Sequence, residues 1–129
     1  MERLRTRAQF QALLSTPAVA RTAHFALHRC AEPWAVSADA APLFPAAAPL
    51  VWMGAMAPKR WARRAVTRNA IRRQIYSVAG QLSPPLNAGA YLVRLRSGFA
   101  RSQFPSASSP ALKNAVRLEL TQLFGRVRP

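Results

Sequence analysis

Along its 129 residues the chain switches between two hydrophobic rhythms, one near 3.6 residues and one near 2. A first helix is predicted from about Thr6 to Leu14, with Phe10, Leu13 and Leu14 on one face and Thr16-Pro17 ending it. His24-Phe25-Ala26-Leu27-His28 then alternates apolar with polar or small residues, as a half-buried strand does. Leu50 to Met56 (LVWMGAM) reads as a second strand, apolar enough to be central. The longest helical pattern runs from Lys59 to about Gly80, and Pro84-Pro85 bar any continuation. Within it Ile71, Ile75 and Val78 should face the sheet, while Asn69, Arg73 and Tyr76 take the opposite face and Arg68 and Arg72 the flank. Ala90 to Leu95 (AYLVRL) gives a third strand, and a Gly/Ser/Pro loop leads to Pro110. A last helix from about Ala111 to Phe124 aligns Leu112, Ala115 or Val116, Leu120 and Leu123.

This order predicts the α+β class: a small sandwich of helices on a sheet, in a single domain spanning 1–129. Residues 31–49 (AEPWAVSADAAPLFPAAAP) read as a long Pro/Ala loop, with a short extended piece at Trp34–Val36. Ala40 to Pro58 is free of charge over 19 residues, close to the ~20 that span a bilayer. Pro42, Pro45, Pro49 and Pro58 interrupt it, so a loop entering a buried strand is the better reading and the protein is expected to be soluble. The opening MERLRTRAQF has no apolar stretch of secretory-signal length behind it. Its Arg-rich look is shared by organellar transit peptides and by a simple capped helix.

Composition narrows the chemistry. The 26 alanines leave the core to a short list of larger apolar residues. Charge is lopsided: 19 Lys plus Arg, of which 17 are Arg, against 4 Asp plus Glu, for a net +15. Four scattered acids (Glu2, Glu32, Asp39, Glu119) argue against a carboxylate-pair hydrolase or a carboxylate metal cage. The single Cys30 excludes an internal disulfide and fits a reducing cytoplasm. His24 and His28 have no acid orienter identifiable from sequence, and both read as strand-surface residues. No metal ligand set and no nucleophile–base pair is expected; any reaction this protein joins should draw its chemistry from a partner.

The positive charge points to a polyanion, nucleic acid ahead of membrane. Between Asp39 and Glu119 lie 79 residues without an acid, and Lys59, Arg60, Arg63, Arg64, Arg68, Arg72 and Arg73 fall within fifteen of them. On a water-facing helix, like charges four apart repel by roughly 0.2–0.5 kcal/mol a pair. A solvated face normally mixes signs, and this one does not. Arginine forks and counterion release make phosphates the natural neutralising partner. Tyr76 reads either as a base-stacking ring or as a boundary residue, and Trp61 as core or surface. Phe10 and Phe25 pack a core or line a cleft for unpaired bases; Trp52 and Tyr91 read as core.

The segment Ala57 to Tyr76 (APKRWARRAVTRNAIRRQIY) resembles the signature region of the bacterial ribonuclease P protein subunit. There a strand leads through a Lys-Lys pair and an Arg-Arg-Ala step into Arg-Asn-Arg-Ile-Lys-Arg on a helix. Lys59-Arg60 stands for the Lys pair, Arg63-Arg64-Ala65 matches as it is, and Arg68-Asn69, Ile71 and Arg73 match, with Arg72 replacing Lys. Ala70 departs, where the family has its second Arg. The likeness extends to Leu4–Leu14, with Phe10 at the characteristic aromatic, to Phe25, to Ala90–Leu95 and to the closing helix.

The resemblance implies a mixed sheet of about four strands, three helices and a left-handed strand–helix–strand crossover, in a fold related to one domain of a ribosomal protein. It implies an accessory subunit that helps a catalytic RNA remove the 5′ leader of precursor tRNA and lowers the Mg2+ requirement. Mg2+ would serve the RNA, the protein itself would bind no cofactor, and one protein per RNA is expected. Lys59, Arg60, Arg63, Arg64, Arg68, Asn69, Arg72 and Arg73 would dock on that RNA, while Phe10 and Phe25 would line the leader cleft. The competing readings are a structural rRNA-binding protein, another small basic nucleic-acid-binding module such as a DNA reader, and a stand-alone nuclease. Asn69 and Gln74 are the side-chain amides available for base readout on the basic helix, and they lie apart.

Overall fold

In the computed structural model the described residues are 1–31, 51–99 and 110–127; the 31–49 loop beyond Ala31, including Trp34–Val36, lies outside them. The elements in chain order are β1 (Glu2–Arg3), α1 (Arg7–Leu14), β2 (Ala18–Arg21), β3 (Phe25–Cys30), β4 (Val51–Met56), α2 (Ala65–Gly80), β5 (Gly89–Leu95) and α3 (Pro110–Gly125). Helix α1 starts where a Thr-x-x-Gln capping box places it. The Gln9 N–H donates to Thr6 Oγ1 at 3.2 Å, and Gln9 Oε1 accepts from Thr6 N at 3.1 Å and Arg5 N at 2.7 Å. That network explains why a polar Gln9 is buried.

The strands form one mixed sheet in the order β1-β4-β5-β3-β2. β4 lies parallel to both β1 and β5, whereas β3 is antiparallel to β5 and β2. The parallel β4–β5 pair is joined through α2, the strand–helix–strand unit of the expected fold. Five strands stand where about four were expected. Two residues of β1 are too few to show a period, and Ala-Val-Ala-Arg in β2 offers too little apolar contrast.

Strand alternation gives the sheet two unlike faces. Phe25 opposite Leu95 and Leu27 opposite Val93 share one face, together with Met53, Ala55 and Tyr91 from the other central strands. Helices α2 and α3 cover that face with Ile71, Ile75, Val78, Leu112, Val116, Leu120, Leu123 and Phe124, forming the main core. The other face carries Trp52, Ala90 and Leu92, and α1 covers it through Leu13 and the partly buried Phe10. Gly54 makes the close approach of this layer possible: a Cβ there would lie 2.5 Å from Leu4 Cδ1 and 3.1 Å from Phe10 Cε1. Trp52 and Tyr91 are core, as their strands predict.

Candidate nucleic-acid interface

The basic helix begins six residues later than its pattern suggests. From Pro58 the chain first makes a turn, with the N–H groups of Trp61 and Ala62 both donating to Pro58 O at 3.0 and 3.1 Å. This turn buries Ala57 and Ala62 against the core, a gain that a continuous helix of mutually repelling cations would not supply. Lys59, Arg60, Arg63 and Arg64 are therefore exposed on a loop, and only Arg68, Asn69, Arg72 and Arg73 are helical. Of the four i,i+4 cation pairs that a helix from Lys59 would form (Lys59/Arg63, Arg60/Arg64, Arg64/Arg68 and Arg68/Arg72), only Arg68/Arg72 lies wholly within α2. The loop is held from behind by Gly98, whose missing Cβ would sit 2.7 Å from Trp61 O.

Arg68 braces this loop. Its Nη1 donates to Ala62 O at 3.0 Å and to Arg63 O at 2.7 Å, so the guanidinium is turned inward and half-buried. Arg72 donates through Nη2 to Asn69 Oδ1, which aims its fork along the helix surface. Arg60 lies over the exposed Trp61 ring, 5.2 Å from its centroid. Arg64, the N-cap of α2, makes no side-chain cap and no acid occupies the first turn. The positive end of the helix dipole thus adds to the surrounding cations.

Asn69, Arg72 and Arg73 converge with Arg3, Tyr76 and Ser77 on an open groove of about 580 Å3. Arg3 reaches it from β1, its guanidinium 4.0 Å from the Tyr76 ring centroid. Tyr76 is half-buried, packed partly on the core. Sequence reasoning missed Arg3. A lone Arg near the N-terminus carries no signal until β1 is registered on β4, where Arg3 pairs with Met53 and so faces α2.

Phe25 requires a correction. It has no exposed surface and belongs to the main core on the α2/α3 face, whereas Phe10 lies on the α1 face. The two rings are on opposite sides of the sheet and cannot line one cleft. Strand alternation separates Phe25 from the α1 face, which instead carries Ala26, His28, Met56 and Arg94. Alternation in AYLVRL grouped Arg94 with Ala90 and Leu92, but only the packing of α1 shows which face theirs is.

The histidines also differ from expectation. His28 is buried, its Nδ1 donating to Thr16 O at 2.8 Å and its Nε2 accepting from Arg94 Nε at 3.4 Å. His24 does meet an acid: its Nδ1 lies 2.7 Å from Glu119 Oε1 on α3, and its ring stacks on Phe99 with centroids 4.0 Å apart. Glu119 Oε2 accepts from Thr22 Oγ1 at 2.6 Å and His24 N at 2.8 Å, tying the β2–β3 turn to α3. Ninety-five residues separate that pair in sequence, so no local motif announced it. Cys30 is a free, half-buried thiol packed on the α1 face. Among the described residues no group of three or more His, Cys, Asp or Glu could hold a metal, and no helix is long and apolar enough to cross a membrane.

These features define a small basic α+β domain with eight of its 19 cations gathered on one loop, one helix and an adjoining edge strand. Comparison with known proteins gives that class its family. The family model for ribonuclease P matches residues 1–126. A ribonuclease P protein component from Bordetella parapertussis is 36% identical over 125 residues, covering 97% of this chain and 90% of that protein. One from Ralstonia pickettii is 38% identical over 72 residues, 56% of this chain and half of its own length. The fold matches that of the Staphylococcus aureus RNase P protein with a TM-score of 0.67 at 16% identity, covering 97% of this chain and 94% of that one. The chain belongs to the ribonuclease P protein family.

Proposed function

We propose that this chain is the RNA-binding protein component of a cytoplasmic ribonuclease P, assisting a catalytic RNA in removing the 5′ leader of precursor tRNA. The observation that carries the reading is the acid-free run Lys59–Arg73, displayed on a braced loop and a helix face. Lys59, Arg60, Arg63, Arg64, Asn69, Arg72 and Arg73 meet RNA phosphates, and Arg68 acts mainly by holding the loop that presents four of them. Each neutralised phosphate releases counterions, which substitutes for part of the Mg2+ that RNA folding and substrate docking otherwise require. The Mg2+ and the hydrolysis belong to the RNA, in a complex of one protein per RNA.

The leader lies on the α1 face, where Phe10 offers a half-exposed ring and the sheet carries Arg94 on the same side. Stacking on an aromatic and a charge-assisted contact to the backbone suit a single strand of any sequence. The test is cleavage of precursor tRNA by a bacterial ribonuclease P RNA at low millimolar Mg2+, with and without the protein. Cleavage only in the protein's presence, and none by protein alone, supports the reading. Tight RNA binding without stimulation would reduce the protein to a structural RNA binder.

A further inference from the structure

The groove beside Tyr76 is the place where cations from two distant parts of the chain meet. Arg3 comes from the edge strand β1 and Arg72 and Arg73 from α2. Arg3 is fixed at both ends. Its backbone is registered against Met53, with the next residue's N–H donating to Met53 O at 2.9 Å, and its guanidinium rests on the Tyr76 ring. Among the described residues no acid opposes it: Glu2 points to the other face of the sheet by strand alternation, and none lines the groove. Arg72 is likewise held, by Asn69 Oδ1.

We propose that this groove is a subsite for one unpaired nucleotide of the partner RNA, the base stacking on the outer face of the Arg3 guanidinium and the phosphate held by the in-plane N–H groups of Arg3 together with Arg72 and Arg73. The proposal rests on the RNA-binding reading above and extends the RNA surface to Arg3 and Tyr76, which lie outside the Lys59–Arg73 run. Tyr76 backs one face of the exposed Arg3 guanidinium and leaves the other as the stacking plane. A planar cation held in place recognises a base by its π-face and a phosphate by its in-plane N–H groups. Inside a duplex the base faces are covered by their neighbours, so a base on this plane comes from an unpaired position. Asn69 and Tyr76 act as positioning residues for the two forks.

The test measures affinity of the full-length protein for a bacterial ribonuclease P RNA across a salt series, comparing wild type with Arg3→Ala and Arg3→Lys. Arg3→Ala should weaken binding about tenfold and lower the magnitude of the log–log salt slope by about 0.7–0.9, one phosphate's share. Arg3→Lys should keep the slope, because the charge remains, yet still weaken binding about fivefold because an ammonium offers no stacking plane. Arg3 is exposed at a sheet edge, so thermal unfolding of both variants should coincide with wild type. If Arg3→Ala equals wild type in affinity and slope, the subsite does not exist. If Arg3→Lys equals wild type, the site reads phosphate alone and the nucleotide assignment is wrong. A wild-type protein with no salt-dependent affinity for the RNA would instead sink the functional reading itself.

Discussion

Two charged side chains illustrate how differently similar residues are used. Arg68 spends its Nη1 on the carbonyls of Ala62 and Arg63, whereas Arg73 is exposed with the groove before it. Arg68→Ala should therefore lower both stability, by about 1–2 kcal/mol for the lost charge-assisted bonds, and RNA affinity. Arg73→Ala should lower affinity alone. Thermal unfolding beside filter binding separates the two, and equal melting of both variants would remove the brace from the account. Glu119 is the complementary case, one of four acids in a basic protein, which accepts from Thr22 Oγ1, His24 N and His24 Nδ1. Glu119→Ala leaves those donors unpaired and should cost about 1–3 kcal/mol in urea unfolding, with RNA affinity unchanged. Its role was invisible in sequence because its partners lie nearly a hundred positions away.

Elements show where local pattern sufficed and where it did not. The inward stripe Ile71, Ile75, Val78 and the α3 stripe Leu112, Val116, Leu120, Leu123 are buried as their spacing requires. The start of α2 is not where the pattern put it, since the charged residues 59–64 are as compatible with a turn as with a helix. Burial of Ala57 and Ala62 decides between them. Position 70 lies in the middle of α2, half-buried and beside the groove-lining face. Restoring the family's cation by Ala70→Arg should tighten RNA binding about tenfold and shift stability by less than about 0.5 kcal/mol. Binding and melting curves of that variant test the point directly. At the other layer, Gly54→Ala should push Leu4 and Phe10 off the sheet, costing about 1–3 kcal/mol. Precursor tRNA should then lose affinity relative to mature tRNA, because Phe10 is displaced; an unchanged ratio would remove Phe10 from the leader path.

At the scale of the whole molecule, a net charge of +15 on 129 residues makes RNA association an electrostatic event. Affinity for ribonuclease P RNA should fall by about 10^3-fold or more between 50 and 200 mM salt, as expected for six or more phosphate contacts. A shallow salt dependence would mean that the cationic face is not the interface. The charge, the helical and strand periods, and the signature run from Lys59 to Arg73 are carried by residues near one another in sequence. The sequence by itself therefore determined the α+β class, the polyanion partner and the family. What only the tertiary structure decided is which face each strand shows to which helix. Period-2 alternation divides Phe25 from Ala26 and His28, but it is blind to which half meets α1. For that reason Phe25 fell into the core, Arg94 and His28 came to the α1 face, and Arg3 arrived beside Tyr76. Each of these depends on pairing between strands far apart in the chain, and such long-range contacts are settled by global packing, not by any local pattern.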